Sequence, residues 1–499
     1  MLRATKLRTA EQDAGKSQSW LKSGDWPAGQ GGISLKRSTW QIALVLVLFV
    51  LVLLKIDSSS GTDLTASFVS CRLVLAGDTS HLYSHDPTSF NLVSDPIWWK
   101  VAKAGGCGPH TLLTPFVQTP LWPYFLQPVC GWMRFSSFNE LFKVVLAVCF
   151  AALIWITGRY WTTRFFKPSW VLFTAILWVR ADPLREAMEL TQTHVIFVLL
   201  SVLAILFSRS NRPIWAGALM AIAAAVKITP GAFLVYWLLT RQRKAALSFV
   251  LASVALFLST VLLAGRPVTI DYLHSMERLS NILLLARSNQ SVAAWWAGLV
   301  SPPSQPLTFQ AFHLPRALQY TCSSLIVLSA VAGARLDRRL EAYADSSTPP
   351  LGAIFTLLGA TVFAPIAWSH YYLILVVPLI LVMDAELQRR SYTLLCLFAL
   401  IVGLANSPNL LRHAGYLHLP VPGLIRGQFY AGLLAMGALY LIYRRQMETR
   451  RDRGSSAPGV NLDFGGARTP LTELFRLDGS PKGRRGSTCT HGRTAPESG

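Results

Sequence analysis

The stretch FVLASVALFLSTVLLAG, residues 249–265, carries no charged side chain and no proline. A helix rises about 1.5 Å per residue, so a run of this length comes close to crossing a hydrocarbon core of about 30 Å. WQIALVLVLFVLVLLKI, residues 40–56, reads the same way, with one lysine near its end. Inside a bilayer the backbone must satisfy its own hydrogen bonds, which makes such runs helices. Further apolar runs lie at 139–157, 168–180, 194–208, 214–227, 229–240, 245–264, 316–334, 350–368, 370–384, 391–406 and 427–443. Several are shorter than the roughly 20 residues of a perpendicular span, and adjacent short runs such as 214–227 and 229–240 also read as broken or re-entrant helices. The expected fold is an all-α polytopic membrane protein of about 10–12 transmembrane helices, with interfacial helices on the outer face.

Composition agrees. The 499 residues are 52% hydrophobic and only 14% charged, where soluble domains carry about 25% charged residues. Mean hydropathy is +0.40. The formal net charge of +21 does not point to nucleic acid, because the basic residues sit as short clusters at the ends of apolar runs. Cysteine spacing offers no metal site: there is no CxxC and no zinc-type Cys/His pair. Cys71, Cys107 and Cys130 fall in the first long polar segment, which leaves room for one disulfide among them.

The basic clusters also set an orientation. With the amino terminus inside, the inner segments are Arg159–Lys167, Arg209–Arg212, Arg241–Lys244, Arg335–Arg339, Arg389–Arg390 and the tail from Arg444, each with at least two Lys or Arg. The outer segments, 57–138, 181–193, 265–315 and 407–426, are longer and richer in Trp, Pro and Tyr. This is the positive-inside pattern. It divides the chain into a basic cytoplasmic segment 1–39, a transmembrane domain 40–443, and a Gly-, Arg- and Ser-rich cytoplasmic tail 444–499 expected to be disordered. Residues 40–56 read as a retained signal anchor. The expected location is the inner (plasma) membrane, multi-pass, with both termini cytoplasmic.

The same map gathers polar residues far apart in sequence at one depth: Asp63, Gln192, Lys227, Asn289, Gln290 and His370. Ionisable groups near bilayer depth are costly and usually line a cavity or a substrate path. Each also has a plain structural reading. Asp63 follows the first span and precedes a helical stretch, so it is either an N-cap or a surface carboxylate able to take a proton from an acceptor hydroxyl. Lys227, in AVKITPG at 225–231, either snorkels or supplies a fixed cation for the phosphate of a lipid-linked substrate. Gln192 and His194 open the fourth span as interfacial polar groups, where helix amino ends also attract anions. TPFVQTPLWPY at 114–124 reads as a half-buried interfacial segment. RSNQS at 287–291 precedes another interfacial helix, and PIAWSHYY at 365–372 places His370 and Tyr371 at an outer tip.

Taken in order, Asp63, LVLAG…LY at 73–83, TPFVQTPLWPY, the Gln before the fourth span, KITP followed by LLTRQRKAAL, NQS and PIAWSHYY resemble glycosyltransferase family 87. These are membrane enzymes of the C superfamily that include polyprenol-phosphate-mannose-dependent mannosyltransferases. The resemblance covers residues 60–385. It departs from the usual pattern at Thr191, where relatives usually carry glycine before the Gln. It implies transfer of a hexose, mannose favoured, from a polyprenyl-phosphate donor to a cell-envelope glycolipid or glycan on the non-cytoplasmic face, with inversion. It further implies Asp63 as catalytic base, Lys227 at the donor phosphate, and Gln192, Gln290, His370 and Tyr371 lining the substrates. No cofactor and no metal is implied, because the donor enters from the membrane already activated. A secondary transporter or lipid flippase would share the span count and the buried polar groups; no repeat between the two halves is visible.

Overall fold

The computed structural model describes residues 34–56, 61–89, 93–108, 111–227, 229–300, 310–341, 348–389, 391–407 and 426–455. Most of the basic segment 1–39 and most of the tail 444–499 lie outside the described residues. The chain up to Glu448 forms one compact unit, described here.

The fold is all-α and polytopic. Its helices are α1 Ser34–Leu53, α2 Thr62–Leu75, α3 Pro96–Ala104, α4 Leu121–Cys130, α5 Phe135–Trp161, α6 Pro168–Val179, α7 Asp182–Glu189, α8 His194–Arg209, α9 Pro213–Val226, α10 Ala232–Leu239, α11 Arg243–Ala264, α12 Arg266–Ser280, α13 Val292–Val300, α14 Arg316–Glu341, α15 Leu351–Val362, α16 Val376–Arg389, α17 Tyr392–Ala405 and α18 Gly427–Ser455. Among the described residues four helices are long and apolar enough to cross a membrane, and seven apolar helices are shorter. The short ones match the short runs of the sequence. The pair at 214–240 is broken as expected: α9 stops at Val226, and a 3₁₀ turn, Thr229–Gly231, precedes α10. The last helix continues to Ser455, so the first residues of the segment expected as disordered tail are helical, with Arg444 paired to Glu448 one turn on.

Two kinds of apolar helix separate by burial. In α11 the residues Leu247, Leu251, Phe257, Leu258 and Leu262 are exposed, as a lipid-facing helix requires. The helical stretch Ser369–Gln388 is instead largely buried and forms the centre of the main core, with Leu373, Val376, Val377 and Ile380 enclosed. Small residues let helices close up around it. Gly333 of α14 and Gly352 of α15 face each other so closely that a Cβ on Gly352 would lie 1.9 Å from the Gly333 carbonyl oxygen. Asp337 completes this joint. Its carboxylate accepts from Gly352 N at 2.8 Å, Ala353 N at 2.9 Å and the Tyr236 hydroxyl at 2.6 Å, capping the first turn of α15.

The first long polar segment folds into a lobe with its own apolar core, built on Phe68, Trp98, Phe116, Leu126 and Phe138. Cys71 of α2 and Cys130 of α4 form its disulfide, while Cys107 is free. The proline-rich segment runs along α2: the Tyr83 hydroxyl donates to Gln118 O at 2.5 Å, and Trp122 Nε1 donates to Ser67 Oγ at 3.1 Å. Periodicity gave no sign of a small two-stranded antiparallel sheet, β1 Ile282–Leu285 with β2 Gln310–His313, which pairs Ile282 with His313 across α13 in the sequence.

Candidate active site

Asp63 stands in the first turn of α2, after Gly61 in a left-handed conformation (φ 40°). Gly61, and not Asp63, occupies the capping position, and no side chain makes a capping hydrogen bond there. A cap is therefore not the carboxylate's role in this fold. Burial pushes its pKa up to about 7; the charge of Lys227 opposes the shift and that of Glu186 adds to it. Lys227, at the end of α9, and Glu186, in α7, therefore both lie within electrostatic reach of Asp63 in α2.

Lys227 forms the carboxyl cap of α9 in extended conformation. Its Nζ donates to the Tyr371 hydroxyl and lies 4.3 Å from the centroid of that ring, a cation–π contact. The ammonium thus points into the protein, not along a snorkelling path. Tyr371 stacks on His194 with centroids 4.5 Å apart and planes 11° from parallel. His194 Nε2 lies 3.3 Å from the Tyr371 carbonyl oxygen, and the His370 ring sits 5.9 Å from that of His194. Both histidines are 2% exposed. Among the described residues, neither nitrogen of His370, nor Nδ1 of His194, has a hydrogen-bond partner. Buried polar atoms are normally satisfied, and these nitrogens are available to a polar ligand.

Sequence reasoning passed over Glu186. It lies in α7, whose Arg185–Glu189 ion pair at 2.5 Å makes the stretch read as a solvated amphipathic turn. Glu186 is instead turned inward at 25% exposure, its Oε1 3.9 Å from His370 Nδ1. Burial raises its pKa to about 7, against a hydrogen bond from Ser369 and the charge of Arg287.

Gln192 and Gln290 fare differently. Gln192, 9% exposed, occupies the turn between α7 and α8, two residues before His194. Gln290 is a tie within its loop: Nε2 donates to Arg287 O at 2.7 Å, and Oε1 accepts from Gln428 N at 3.3 Å. The NQS and PIAWSHYY segments dock on one another. Asn289 Oδ1 accepts from Ala367 N at 3.0 Å, Ser291 Oγ donates to Pro365 O at 2.8 Å, and Tyr372 OH donates to Gln290 O at 2.7 Å. Arg426, buried and also missed from sequence, clamps this loop by donating to the carbonyls of Ala286 and Asn289.

The turn before Gln192 explains the chain's departure at Thr191. Gln192 N bonds Ala187 O at 2.8 Å and Thr191 N bonds Met188 O at 3.3 Å, the two bonds of a Schellman motif. Its left-handed position is held by Thr191 at φ 51°, where glycine is the usual residue and a β-branched one is strained. The Thr191 hydroxyl donates to Asn139 Oδ1 at 2.7 Å, and Asn139 in turn packs against Gly61. Thr191→Val keeps the strain and removes that bond, so it should cost about 1–3 kcal/mol. Thr191→Gly also loses the bond but relieves the strain, and should cost less. Thermal unfolding in detergent checks the order; the reverse order would show that the left-handed backbone at Thr191 carries no strain for glycine to relieve.

A family model described as Glycosyltransferase family 87 matches residues 116–367, just over half of the chain. The chain is 25% identical over 312 residues to a polyprenol-phosphate-mannose-dependent alpha-(1-2)-phosphatidylinositol mannoside mannosyltransferase of Mycobacterium tuberculosis, covering 59% of this chain and 69% of that protein. It is 25% identical over 293 residues to the protein of the same description from Mycolicibacterium smegmatis, covering 56% of this chain and 63% of the relative. A pentamannoside mannosyltransferase of Mycobacterium tuberculosis is 27% identical over 287 residues, 55% of this chain and 59% of that protein. The matched region holds Glu186, Lys227 and the loop docked on 365–367, and the chain belongs to glycosyltransferase family 87.

Proposed function

We propose that this membrane glycosyltransferase moves a hexose, mannose in the first place, from a polyprenyl-phosphate donor to a lipid or glycan acceptor of the cell envelope, on the non-cytoplasmic face and with inversion. The reading is supported by Asp63 and Lys227, a carboxylate and a cation from distant parts of the chain that lie within electrostatic reach of each other, and by the contact of Lys227 with Tyr371, which stacks on His194 and packs against His370. The relatives' polyprenol-phosphate-mannose donor and the shared family support the same choice of substrate.

The chemistry needs two things: a proton acceptor for the attacking hydroxyl, and stabilisation of the leaving phosphate. In this reading the acceptor oxygen attacks the anomeric carbon as its proton passes to Asp63. The new C–O bond forms while the bond from that carbon to the phosphate oxygen breaks. The electron pair leaves with the polyprenyl phosphate, whose added negative charge Lys227 offsets, held in place by Tyr371. A single displacement inverts the anomeric centre. Gln192 and His370 line the sugar, and Gln290 acts by fixing the loop behind it. The purified protein should transfer sugar from synthetic polyprenyl-phosphate mannose to a cell-envelope acceptor extract, in preference to the glucose and arabinose donors. No transfer from any of the three would overturn the reading.

We place the site on the outer side of the inner membrane, with both termini in the cytoplasm. The basic inner turns support this, as does the Cys71–Cys130 disulfide, since such bonds persist in oxidising compartments. Single cysteines at the exposed positions Lys100 and Arg339 test it. The first should react with an impermeant maleimide on intact cells and the second only after permeabilisation; the opposite pattern would invert the map.

A further inference from the structure

Glu186 is the one carboxylate of the cluster that the proposed mechanism leaves without a task. Its neighbours are specific. Ser369 bonds it and Arg287 faces it electrostatically, Asp63 feels its charge, and His370 Nδ1 lies 3.9 Å from its Oε1. That gap is too long for a hydrogen bond. Yet His370 is buried, with both ring nitrogens unpartnered, and a packing role alone leaves such a cost unexplained. An oxygen placed about 2.8 Å from both atoms would see them at roughly a right angle, an ordinary geometry for an atom that donates to one neighbour and accepts from another. A sugar hydroxyl is such an atom, and a water-excluding site makes both bonds count.

We propose that Glu186 and His370 grip one hydroxyl of a substrate hexose between them, Glu186 Oε1 accepting its proton and His370 Nδ1 donating to its oxygen, so that the pair selects the sugar's configuration beside Asp63. This rests on the transferase reading above and names the residues that give it specificity. The hydroxyl belongs either to the transferred hexose or to the acceptor sugar; the chemistry is the same, and kinetics separate the two. Glu186 is a quarter exposed and His370 enclosed, so the carboxylate is the half of the pair that meets the sugar first.

The test uses the full-length protein in detergent, with polyprenyl-phosphate mannose and mannoside acceptors in native and monodeoxy forms. A hydrogen bond to a charged group is worth about a 10- to 100-fold preference. One monodeoxy sugar should therefore lose roughly that factor in kcat/KM with the native enzyme and almost nothing further with Glu186→Ala. If that sugar is a donor analogue, the grip is on the transferred hexose; if it is an acceptor analogue, the grip is on the acceptor. Glu186→Gln, which keeps the size and an oxygen for Ser369, controls for folding. Because it removes a negative charge facing Asp63, it should also move the acid limb of the pH–rate profile to lower pH, which a packing residue would not do. Equal losses in native enzyme and Glu186→Ala for every deoxy sugar would overturn the inference while the transferase reading stands. A native protein that uses no polyprenyl-phosphate hexose would overturn both.

Discussion

Asp63→Asn protein should insert and fold as the native chain does and lose roughly 10²- to 10⁴-fold in transfer rate, the range that general-base catalysis supplies. Position and chemistry separate cleanly here. Gly61 holds the capping place and the carboxylate makes no capping bond, so the structural stake is the favourable placement of a negative charge in the first turn of α2, typically about 0.3–1 kcal/mol. Asparagine fills the same volume but takes no proton. The pH profile adds a second signature. A base must be ionised to act, and burial holds this carboxyl at about 7. The native rate should therefore fall about tenfold per pH unit below that value and level off above it, with Lys227, Glu186 and the two histidines as the surrounding charged and titratable groups. The residual rate of Asp63→Asn should lose this limb. A variant that keeps most of its turnover, with the limb intact, would make Asp63 a bystander, and His370 would be the next group to test as base.

The fold was legible because hydrocarbon imposes one strong rule on the backbone. Each apolar run expected as a span contains a helix, and most of the short runs are short helices. The strand Ile282–Leu285 escaped because an apolar run of four residues has no period that tells strand from helix. At the site, depth could be read but contact could not. The expected topology set Asp63, Lys227 and His370 at one level; in the structure Lys227 and His370 both contact Tyr371, and Asp63 lies within electrostatic reach of Lys227. Gln290 shared that level and turned its amide into its own loop. Glu186 shared it too, hidden by the Arg185–Glu189 pair that makes its helix look solvated. Thr191 was visible as a departure, but its meaning needed a dihedral angle: only φ 51° shows why glycine is usual there and why a hydroxyl bond to Asn139 accompanies its replacement.

Lys227→Gln should raise the apparent KM for the polyprenyl-phosphate donor by about 10²-fold while leaving the amount of folded protein near normal. A cation and a phosphate oxygen about 4 Å apart interact by about 4 kcal/mol at an effective dielectric of 20, and part of that is repaid by solvent and by glutamine's own hydrogen bond. A loss of two decades, about 2.7 kcal/mol, sits inside that limit. Tyr371→Phe is the companion variant. It removes the hydroxyl that Nζ contacts but keeps the ring beneath the ammonium, so the cation stays and the KM change should be much smaller. The two substitutions also differ at Asp63. Lys227 lowers the carboxyl's pKa, so its removal raises that pKa and moves the acid limb to higher pH, opposite to the shift expected of Glu186→Gln. Phenylalanine at 371 leaves the charge, and therefore the limb, where it was. Unchanged donor kinetics in Lys227→Gln together with an unmoved limb would reduce Lys227 to a packing partner of Tyr371 and send the search for the phosphate's counter-charge to Arg287, the basic residue that faces Glu186 across the docked loop.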